Sequence, residues 1–230
     1  MRSDLLFAGA VGQAVIRGDF PIWAYIALFF ALAAASYLLG SVNFAIVISS
    51  LKYHDDIRNH GSGNAGATNM KRTFGNKAAA LTFAGDFLKA VLAVLGTRLL
   101  IGFDAACLSG LACALGHAFP CWYGFKGGKC VAVTSAIVLC VEPITFAIAL
   151  VIFIIIVAFT KYVSLGSIIS ALMIPLVMYN ILNGIYGLGH GTWGIFCIFL
   201  TCVLVVALHK ENIKRLREGK ENKIGSKKSE

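Results

Sequence analysis

The sequence predicts an all-α integral membrane protein, a bundle of about seven transmembrane helices of which some are short. Of its 230 residues, 58% are hydrophobic and only 13% are charged, and the mean hydropathy is +0.81. A soluble domain averages about 45–50% apolar and about 25% charged residues. The apolar residues also form long runs, and a helix needs roughly 20 of them to cross the hydrocarbon core of a bilayer. An ordinary soluble domain is therefore excluded.

The first two apolar runs, residues 21–48 and 78–103, flank a polar loop at residues 52–77. The first run becomes polar towards its end, which indicates that it continues into a functional site. The second run contains Asp86 and Lys89, which are three residues apart and therefore share one helix face. Ionisable residues inside a span are costly and often functional, so this pair either supports a site or contacts a ligand directly.

The following apolar segments are shorter or interrupted. Residues 105–119 form a short segment, and residues 130–160 are apolar except for Glu142 and Pro143 in their middle. Proline disfavours the α conformation in the residue before it, so a helical hairpin is possible here as well as one long helix. The first half of that hairpin, residues 131–141, would be only about 17 Å long at the helical rise. The remaining spans are residues 168–188, which contain Pro175, and residues 193–208.

The distribution of basic residues favours the hairpin. With a hairpin, most of the 20 lysine and arginine residues fall on one side of the membrane, as is typical of cytoplasmic loops. With a single helix, the basic tail after His209 would lie on the opposite side. We therefore predict that the amino terminus lies outside and the carboxyl terminus in the cytoplasm. The chain is predicted to be one transmembrane domain, residues 1–230, with an N-terminal segment at 1–20 and a basic cytoplasmic tail at 210–230.

The net charge of +9 fits basic cytoplasmic loops and does not indicate nucleic-acid binding. The seven cysteines lie mostly in apolar runs and without CxxC spacing. We expect them to fill space in the core rather than to form disulfides or bind zinc. No Asp, Glu, His or Cys residues occur at metal-ligand spacing, and no cofactor is predicted.

The most informative stretch is residues 60–75, HGSGNAGATNMKRTFG. Its glycines permit backbone conformations closed to other residues, and its short polar side chains and positive charges suit a loop that wraps a phosphate. The GxGxxG string would mark a dinucleotide site only between a strand and a helix, whereas membrane spans flank it here. A nucleotide P-loop would need GK followed by Ser or Thr, which is missing. A plain glycine linker would not need the serine, asparagine, threonine and arginine.

Three other stretches of this kind are predicted on the same cytoplasmic face. They are residues 116–129 with FKGGK, residues 161–167 (KYVSLGS) and residues 209–225 (HKENIKRLREGKENKIG). Lys126 and Lys129 flank a Gly-Gly turn that can bring two ammonium groups to one anion. His209 and Asn212 share one helical face at the membrane exit. Four phosphate-suited stretches on one face indicate a site for phosphorylated ligands.

Two interpretations other than an enzyme remain open from the residues alone. A transporter of a phosphorylated or anionic solute would use Asp86, Lys89 and Pro175 for alternating access. Its site would lie near the membrane midplane, whereas the polar groups gather on one face and no inverted repeat is evident. A noncatalytic assembly protein would use the same loops to dock a partner.

Five strings resemble the acyl-phosphate-dependent glycerol-3-phosphate acyltransferases of bacterial membranes. They are YLLGS at 37–41, DIRNHGSGNAGATNMKRTFG at 56–75, GHAFPCWYGFKGGKCVA at 116–132, KYVSLGS at 161–167 and HKENIKRLREGKE at 209–221. They extend over most of the chain in the family's order. The chain departs from the family's pattern at Asn43, where proline is usual, and at Cys130, where glycine is usual. Both departures concern local backbone geometry.

The resemblance implies a seven-span bundle in the bacterial inner membrane, with its site facing the cytoplasm. It implies that an acyl phosphate and glycerol 3-phosphate give 1-acyl-glycerol 3-phosphate and inorganic phosphate, in phospholipid biosynthesis. The implied partners are these two substrates, the lipid bilayer and the soluble enzyme that supplies acyl phosphate, with no cofactor and no nucleic acid. Acyl phosphate is already activated, so the expected mechanism is direct attack by the glycerol 3-phosphate hydroxyl without an acyl-enzyme.

The resemblance also implies the residues of the site. Ser62 and Arg72 are expected to hold one phosphate, and Lys129, Ser167, His209 and Asn212 the other. Catalytic roles are expected of Ser62, Arg72, Lys129, His209 and Asn212, and the hydroxyl proton passes to a substrate phosphate or to His209. Substrate-binding roles are expected of Ser41, Arg58, Gly61, Gly63, Asn64, Gly66, Thr68, Asn69, His117, Lys126, Gly127, Gly128, Ser164, Ser167 and Glu221.

Overall fold

The computed structural model describes residues 8–186 and 192–224, and the regular elements within them are helices. The α-helices are α1 (Ala10–Arg17), α2 (Ile22–Gly40), α3 (Phe44–Tyr53), α4 (Ala67–Leu100), α5 (Phe103–Ala118), α6 (Val131–Val141), α7 (Pro143–Thr160), α8 (Val163–Tyr186), α9 (Thr192–Leu208) and α10 (Lys210–Arg217). Short 3-10 turns lie in the two loops that follow α3 and α5. The predicted all-α class is confirmed.

Five helical stretches of the described chain are long and apolar enough to cross a membrane. They are Ile22–Tyr53, Ala67–Leu100, Phe103–Tyr123, Pro143–Thr160 and Val163–Gly184. Helices α9 and α10 together form a sixth candidate, bent by 52°, and α6 is a shorter apolar helix. A multi-span helical membrane protein is therefore confirmed, while the count of seven crossing helices and the orientation of the termini stay predictions.

The predicted break at Glu142 and Pro143 is confirmed. Helix α6 ends just before Glu142, and α7 begins at Pro143, a residue that is favoured in the first turn of a helix. The Glu142 carboxylate accepts the backbone N–H of Thr145 and so caps the start of α7. At the other side of the turn, the Arg98 guanidinium donates to the carbonyl of Val141 at the end of α6. The turn of this hairpin therefore has partners for its unpaired backbone groups.

Two predicted boundaries are wrong. The polar loop expected over residues 52–77 becomes helical at Ala67, where the 34-residue helix α4 begins, kinked at Gly75 with φ of 85°. Helix α8 begins at Val163 rather than near residue 168. The boundaries were predicted from the apolar runs. Both helices begin with polar residues that precede the apolar run, so the run alone does not mark the start of the helix. As a result, much of the phosphate-suited sequence lies on the first turns of helices rather than in loops.

Helices α2 and α5 pack backbone against backbone through two glycines. A Cβ atom on Gly40 would lie 2.2 Å from the carbonyl oxygen of Cys113, and one on Gly116 would lie 2.1 Å from the carbonyl oxygen of Tyr37. Only glycine permits this approach, as is common between membrane helices. The contact holds the end of α5 beside the break between α2 and α3.

A buried ionic cluster joins helices α4 and α5 to the end of α2. Lys89 on α4 lies 2.9 Å from the carboxylate of Asp86 and 3.0 Å from Nδ1 of His117 on α5. Its ammonium group also donates to the carbonyl oxygens of Gly40 (2.9 Å) and Val42 (2.6 Å), where α2 ends. A buried charge is tolerated only when it is paired and hydrogen-bonded, as it is here. The structure therefore favours a supporting role for the Asp86–Lys89 pair.

Candidate active site

A cavity of about 520 Å³ lies among the loop before α4, the carboxyl-terminal segment 209–224 and the first turns of α4, α6 and α8. Its lining includes Thr68 from α4, Ala132 from α6 and Ser164 from α8. The first turn of a helix carries unpaired N–H groups and a partial positive charge. The cavity is therefore suited to anions even before any lysine or arginine is considered.

The first loop, defined as residues 54–66 between α3 and α4, is organised by the buried side chain of Asn69. The Asn69 amide donates to the carbonyl of His60 (2.8 Å), and its oxygen accepts the backbone N–H of Ser62 (3.1 Å). Gly61 and Gly63 have φ values of 58° and 71°, in the left-handed region that favours glycine. The tight loop leaves the Ser62 side chain exposed at the cavity.

Arg72 provides an available positive charge on the same wall. It lies one helical turn beyond Thr68 on α4, it is exposed, and it lines the cavity. Within residues 8–186 and 192–224, its guanidinium has no hydrogen bond or ion pair. A guanidinium that is not engaged with the protein can form paired hydrogen bonds with a phosphate. Ser62, Thr68, Arg72 and the start of α4 thus form one group of phosphate donors.

Lys129 is the positive charge on the opposite wall. It ends the second loop, defined as residues 119–130 between α5 and α6, and its ammonium group donates to the side-chain oxygen of Asn212. Burial, together with the neighbouring positive charges of Arg215 and Arg72, lowers the pKa of Lys129 to about 8. Because an anion beside Lys129 would relieve this repulsion, the arrangement favours a bound phosphate.

Glu221 connects the polar side chains around Lys129. Its carboxylate accepts hydrogen bonds from Ser164 (2.9 Å), Asn212 (2.8 Å) and Arg215 (2.7 Å). Burial raises the pKa of Glu221, but these hydrogen bonds outweigh that effect and hold the pKa below the usual value of a glutamate. The ionised carboxylate therefore orients Asn212 and Ser164 at the cavity.

His209 lines the cavity, and one hydrogen bond defines the tautomer of its neutral ring. Its Nδ1 lies 2.7 Å from the carbonyl oxygen of Val205, and a carbonyl can only accept, so the proton of the neutral ring is on Nδ1. The other nitrogen, Nε2, then carries a lone pair. A buried histidine held in this tautomer can accept a proton from a bound hydroxyl group.

Comparison with known proteins assigns the chain to a family. A family model described as glycerol-3-phosphate acyltransferase matches residues 30–219. The chain belongs to this family. Glycerol-3-phosphate acyltransferases of Alkaliphilus metalliredigens and Clostridioides difficile are 40% and 42% identical to the chain, over 85% and 86% of it and 95% and 96% of their own length.

Solved structures show the same fold. A crystal structure of PlsY (YgiH), an integral membrane glycerol 3-phosphate acyltransferase, in its glycerol 3-phosphate form, is similar with a TM-score of 0.79 and 36% identity. The match covers 86% of this chain and 96% of that chain. The lysophosphatidic acid form of PlsY gives a TM-score of 0.76 at 34% identity.

The structure brings most of the site residues that the sequence suggested for the acyltransferase into one cavity. They are Ser62, Asn64, Gly66, Thr68, Asn69, Arg72, His117, Lys129, Ser164, Ser167, His209, Asn212 and Glu221. The remaining ones do not line it: Ser41, Arg58, Gly61, Gly63, Lys126, Gly127 and Gly128.

Structural contacts account for several residues outside the cavity. The Ser41 hydroxyl donates to the carbonyl of Tyr37 (3.0 Å) within its own helix end. A Cβ atom on Gly127 would lie 2.0 Å from the carbonyl oxygen of His117, and one on Gly128 would lie 2.2 Å from the His117 ring. The two glycines therefore let the second loop pack against the end of α5, instead of presenting their backbone to the cavity.

Several residues that line the cavity were not predicted from the sequence. Arg215 lies three residues after Asn212 on α10, so helical spacing from His209 and Asn212 was a usable signal. Asn222 and Lys223 follow the last helix, and Phe83 belongs to a membrane span. Their places at the cavity depend on how distant segments pack, so no local pattern marks them.

Both departures from the family pattern have a structural explanation. Asn43 caps α3 by accepting the backbone N–H of Ile46 (3.2 Å), and its amide donates to the carbonyl of Ala65 (3.2 Å) in the first loop. Cys130 has φ of 62° and ψ of 7°, the left-handed conformation that glycine adopts most easily, and its thiol donates to the carbonyl of Ala114. The backbone at Cys130 therefore keeps a conformation typical of glycine.

We expect Cys130→Gly to be more stable than Cys130→Ala by about 1 kcal/mol, because both lose the sulfur but only alanine keeps a Cβ in the left-handed region. The measurement is the midpoint of thermal unfolding in detergent. Cys202, a buried residue within α9, is the matched control. There the order should be reversed, since alanine is favoured over glycine in a helix by about 1 kcal/mol. A higher midpoint for Cys130→Ala than for Cys130→Gly would contradict the expectation.

Proposed function

We propose that this protein transfers a fatty acyl group from acyl phosphate to the hydroxyl of glycerol 3-phosphate. The products are 1-acyl-glycerol 3-phosphate (lysophosphatidic acid) and inorganic phosphate. Membership of the glycerol-3-phosphate acyltransferase family supports the acceptor and the product. The arrangement of the cavity supports acyl phosphate as the donor and a direct attack.

The observation that carries the proposal is one cavity with two groups of phosphate donors. Ser62, Thr68 and Arg72 form one group with the start of α4, and Lys129 and Asn212 belong to the other with the start of α8. Acyl phosphate and glycerol 3-phosphate each bring one phosphate. Two separate groups of donors fit two phosphorylated substrates that must react with each other.

A second, apolar cavity gives the acyl chain a place beside the phosphates. It measures about 190 Å³ and lies between α4, α6, α7 and α8. Phe83, Val131, Phe153 and Ser167 line both this cavity and the polar one, so the two are adjacent. An acyl phosphate with its chain in the apolar cavity would have its reactive carbonyl at the boundary, within reach of the phosphate donors.

We propose that the glycerol 3-phosphate hydroxyl attacks this carbonyl directly and that phosphate leaves. The Nε2 atom of His209 is well placed to accept the hydroxyl proton, because Nδ1 is engaged with Val205. The absence of a histidine or carboxylate partner for the Ser62 hydroxyl or the Cys130 thiol, among the residues that the structure describes, supports a path without an acyl-enzyme. The protein's own contribution is then positioning and charge stabilisation.

The proposed setting is the bacterial inner membrane with the cavity facing the cytoplasm. Most lysines and arginines of the chain lie in or next to the two cavity loops or in the segment from helix α10 onwards, which supports placing that side in the cytoplasm. Glycerol 3-phosphate would enter from there, and the soluble enzyme that supplies acyl phosphate would be a partner. The seven-span topology and the two ends on opposite sides belong to this proposal.

The test is phosphate release by the purified protein in detergent. We expect inorganic phosphate to appear from acyl phosphate only when glycerol 3-phosphate is also present, with one lysophosphatidic acid formed for each phosphate. Arg72→Ala, prepared in the same way, controls for a contaminating phosphatase and should lose most of this release. Release that does not depend on glycerol 3-phosphate would contradict the proposal.

The competing transporter function makes a different prediction in the same experiment. A transporter would leave both substrates chemically unchanged and would need sealed vesicles to show any activity. Phosphate release in detergent therefore separates the two functions without reconstitution.

A further inference from the structure

The guanidinium of Arg58 is engaged with the protein rather than with the cavity. It forms a bidentate pair with Asp56, in which Nη2 lies 2.7 Å from Oδ2 and Nε lies 3.1 Å from Oδ1, and its Nη1 donates to the carbonyl oxygens of Tyr123 (2.6 Å) and Lys126 (3.3 Å). Arg58 does not line the cavity, and its three nitrogen atoms donate to three residues of the protein, so these contacts favour a role other than the predicted substrate contact.

These contacts cross from one phosphate-binding loop to the other. Asp56 and Arg58 belong to the first loop, which carries Ser62, and Tyr123 and Lys126 belong to the second loop, which ends at Lys129. Tyr123 also packs against the apolar cluster beneath the first loop, which includes Ile57 and Met70.

Elsewhere, each loop is held mainly by its own neighbours. Asn69 fixes the first loop from within α4, and Gly127 and Gly128 donate to the carbonyls of Ala118 and His117 at the end of α5. Only the tip of the second loop, residues 123–126, depends on Arg58 for a side-chain bond to the first loop among the residues that the structure describes. Arg58 therefore controls the distance between the two loops more than the shape of either one.

We infer that Arg58 is a positioning residue that fixes the spacing between the two phosphate sites. The inference rests on the proposed two-phosphate reaction, because spacing matters only when two bound groups must meet. Without Arg58 each site remains internally intact and still binds its phosphate. What is lost is the alignment of the hydroxyl with the acyl carbonyl, where a displacement of about 1 Å can cost about 10²-fold in rate.

The test is steady-state kinetics of Arg58→Ala and Arg58→Lys with acyl phosphate and glycerol 3-phosphate. We expect kcat to fall about 10²-fold in Arg58→Ala, while KM for glycerol 3-phosphate changes less than about threefold. Arg58→Lys should lose almost as much, since an ammonium group cannot make the planar fork that Asp56 and the two carbonyls require. A merely structural residue would lower the yield of folded enzyme without separating kcat from KM in this way.

A double-mutant cycle shows whether Asp56 acts through Arg58. Asp56→Asn keeps an oxygen that accepts the backbone N–H of Arg58 but weakens the ion pair. The double variant Asp56→Asn/Arg58→Ala should be no slower than Arg58→Ala alone. Lys52→Gln, which removes an exposed positive charge from α3 away from the cavity lining, is the control for net charge and should keep wild-type kinetics.

Two results would overturn the inference. A large rise of KM with unchanged kcat would make Arg58 a substrate ligand, and wild-type kinetics in both Arg58 variants would make its contacts irrelevant to the reaction. If Arg58→Ala does not fold, Arg58→Lys carries the test, with thermal unfolding in detergent as the check. Failure of the proposed function itself is a separate result, because wild-type enzyme would then release no phosphate.

Discussion

Replacement of Lys129 by alanine should lower kcat/KM by about 10²–10³-fold, as the loss of one donor to a charged transition state does elsewhere. Its ammonium group lies in the cavity beside Asn212, where burial makes each remaining charge interaction stronger than in water. Lys129→Arg keeps the charge and should retain a substantial share of the activity. Near-normal turnover in Lys129→Ala would remove this lysine from the site.

The pH dependence provides a sharper version of the same test. The pKa of Lys129 is about 8, so the side chain is charged below that pH and neutral above it. A phosphate binds the charged form, so kcat/KM, which reports on the free enzyme, should fall as the pH rises through about 8. In Lys129→Arg this fall should move beyond the assayed range, because arginine stays charged. The measurement is kcat/KM from pH 7 to 9.5, a range in which the second ionisation of a phosphate monoester, near pH 6, is complete.

An identical alkaline fall in wild type and Lys129→Arg would assign the titration to another group. The comparison of the wild-type and Lys129→Arg enzymes is specific to Lys129, because the two enzymes differ only at this residue.

The second large effect is expected at the buried ionic cluster, on stability. Lys89→Met should destabilise the folded state by about 3–5 kcal/mol, because it leaves the Asp86 carboxylate buried without its cation. Lys89 is only 2% exposed, so water cannot replace the ammonium group. The carbonyl oxygens of Gly40 and Val42 would also lose their donor. The measurement is unfolding in detergent, which is monitored through the loss of helical signal.

The double variant Asp86→Asn/Lys89→Met shows whether the unpaired charge is the cause. It removes both charges and should recover more than half of the stability that Lys89→Met loses. If the double variant is no more stable than Lys89→Met, the main cause of the destabilisation is instead the loss of the hydrogen bonds to the carbonyl oxygens of Gly40 and Val42. Turnover per folded Lys89→Met enzyme should stay within about tenfold of wild type, since Lys89 does not line the cavity and does not bind the phosphates in the proposed reaction.

The sequence was sufficient for the membrane class and for the Glu142–Pro143 hairpin. Hydropathy is averaged over many residues, so a span is recognised despite local exceptions, and the one-sided distribution of basic residues favours the hairpin over a single helix. The glycine loop at 60–75 was also visible, since its composition departs sharply from that of its neighbours. These features depend on the chain alone.

The remaining features depend on contacts between distant segments. Arg58 looks like a phosphate ligand in a basic loop, and only the position of Tyr123 and Lys126, more than sixty residues away, shows that its donors are used. Arg215 looks like one of many basic residues in a surface helix until Glu221 folds back onto it. The start of α4 is likewise hidden, because its first turn is as polar as the loop before it.

The three helix starts at the cavity give the site an attraction for anions that no side-chain substitution can delete. Peptide N–H groups do not titrate, and those at the starts of α4, α6 and α8 stay in place when Arg72 or Lys129 is replaced. The fold itself therefore gives the site a basal affinity for phosphate that does not depend on side chains. A lysine or arginine of the site can then be replaced during divergence without the site ceasing to recognise phosphate.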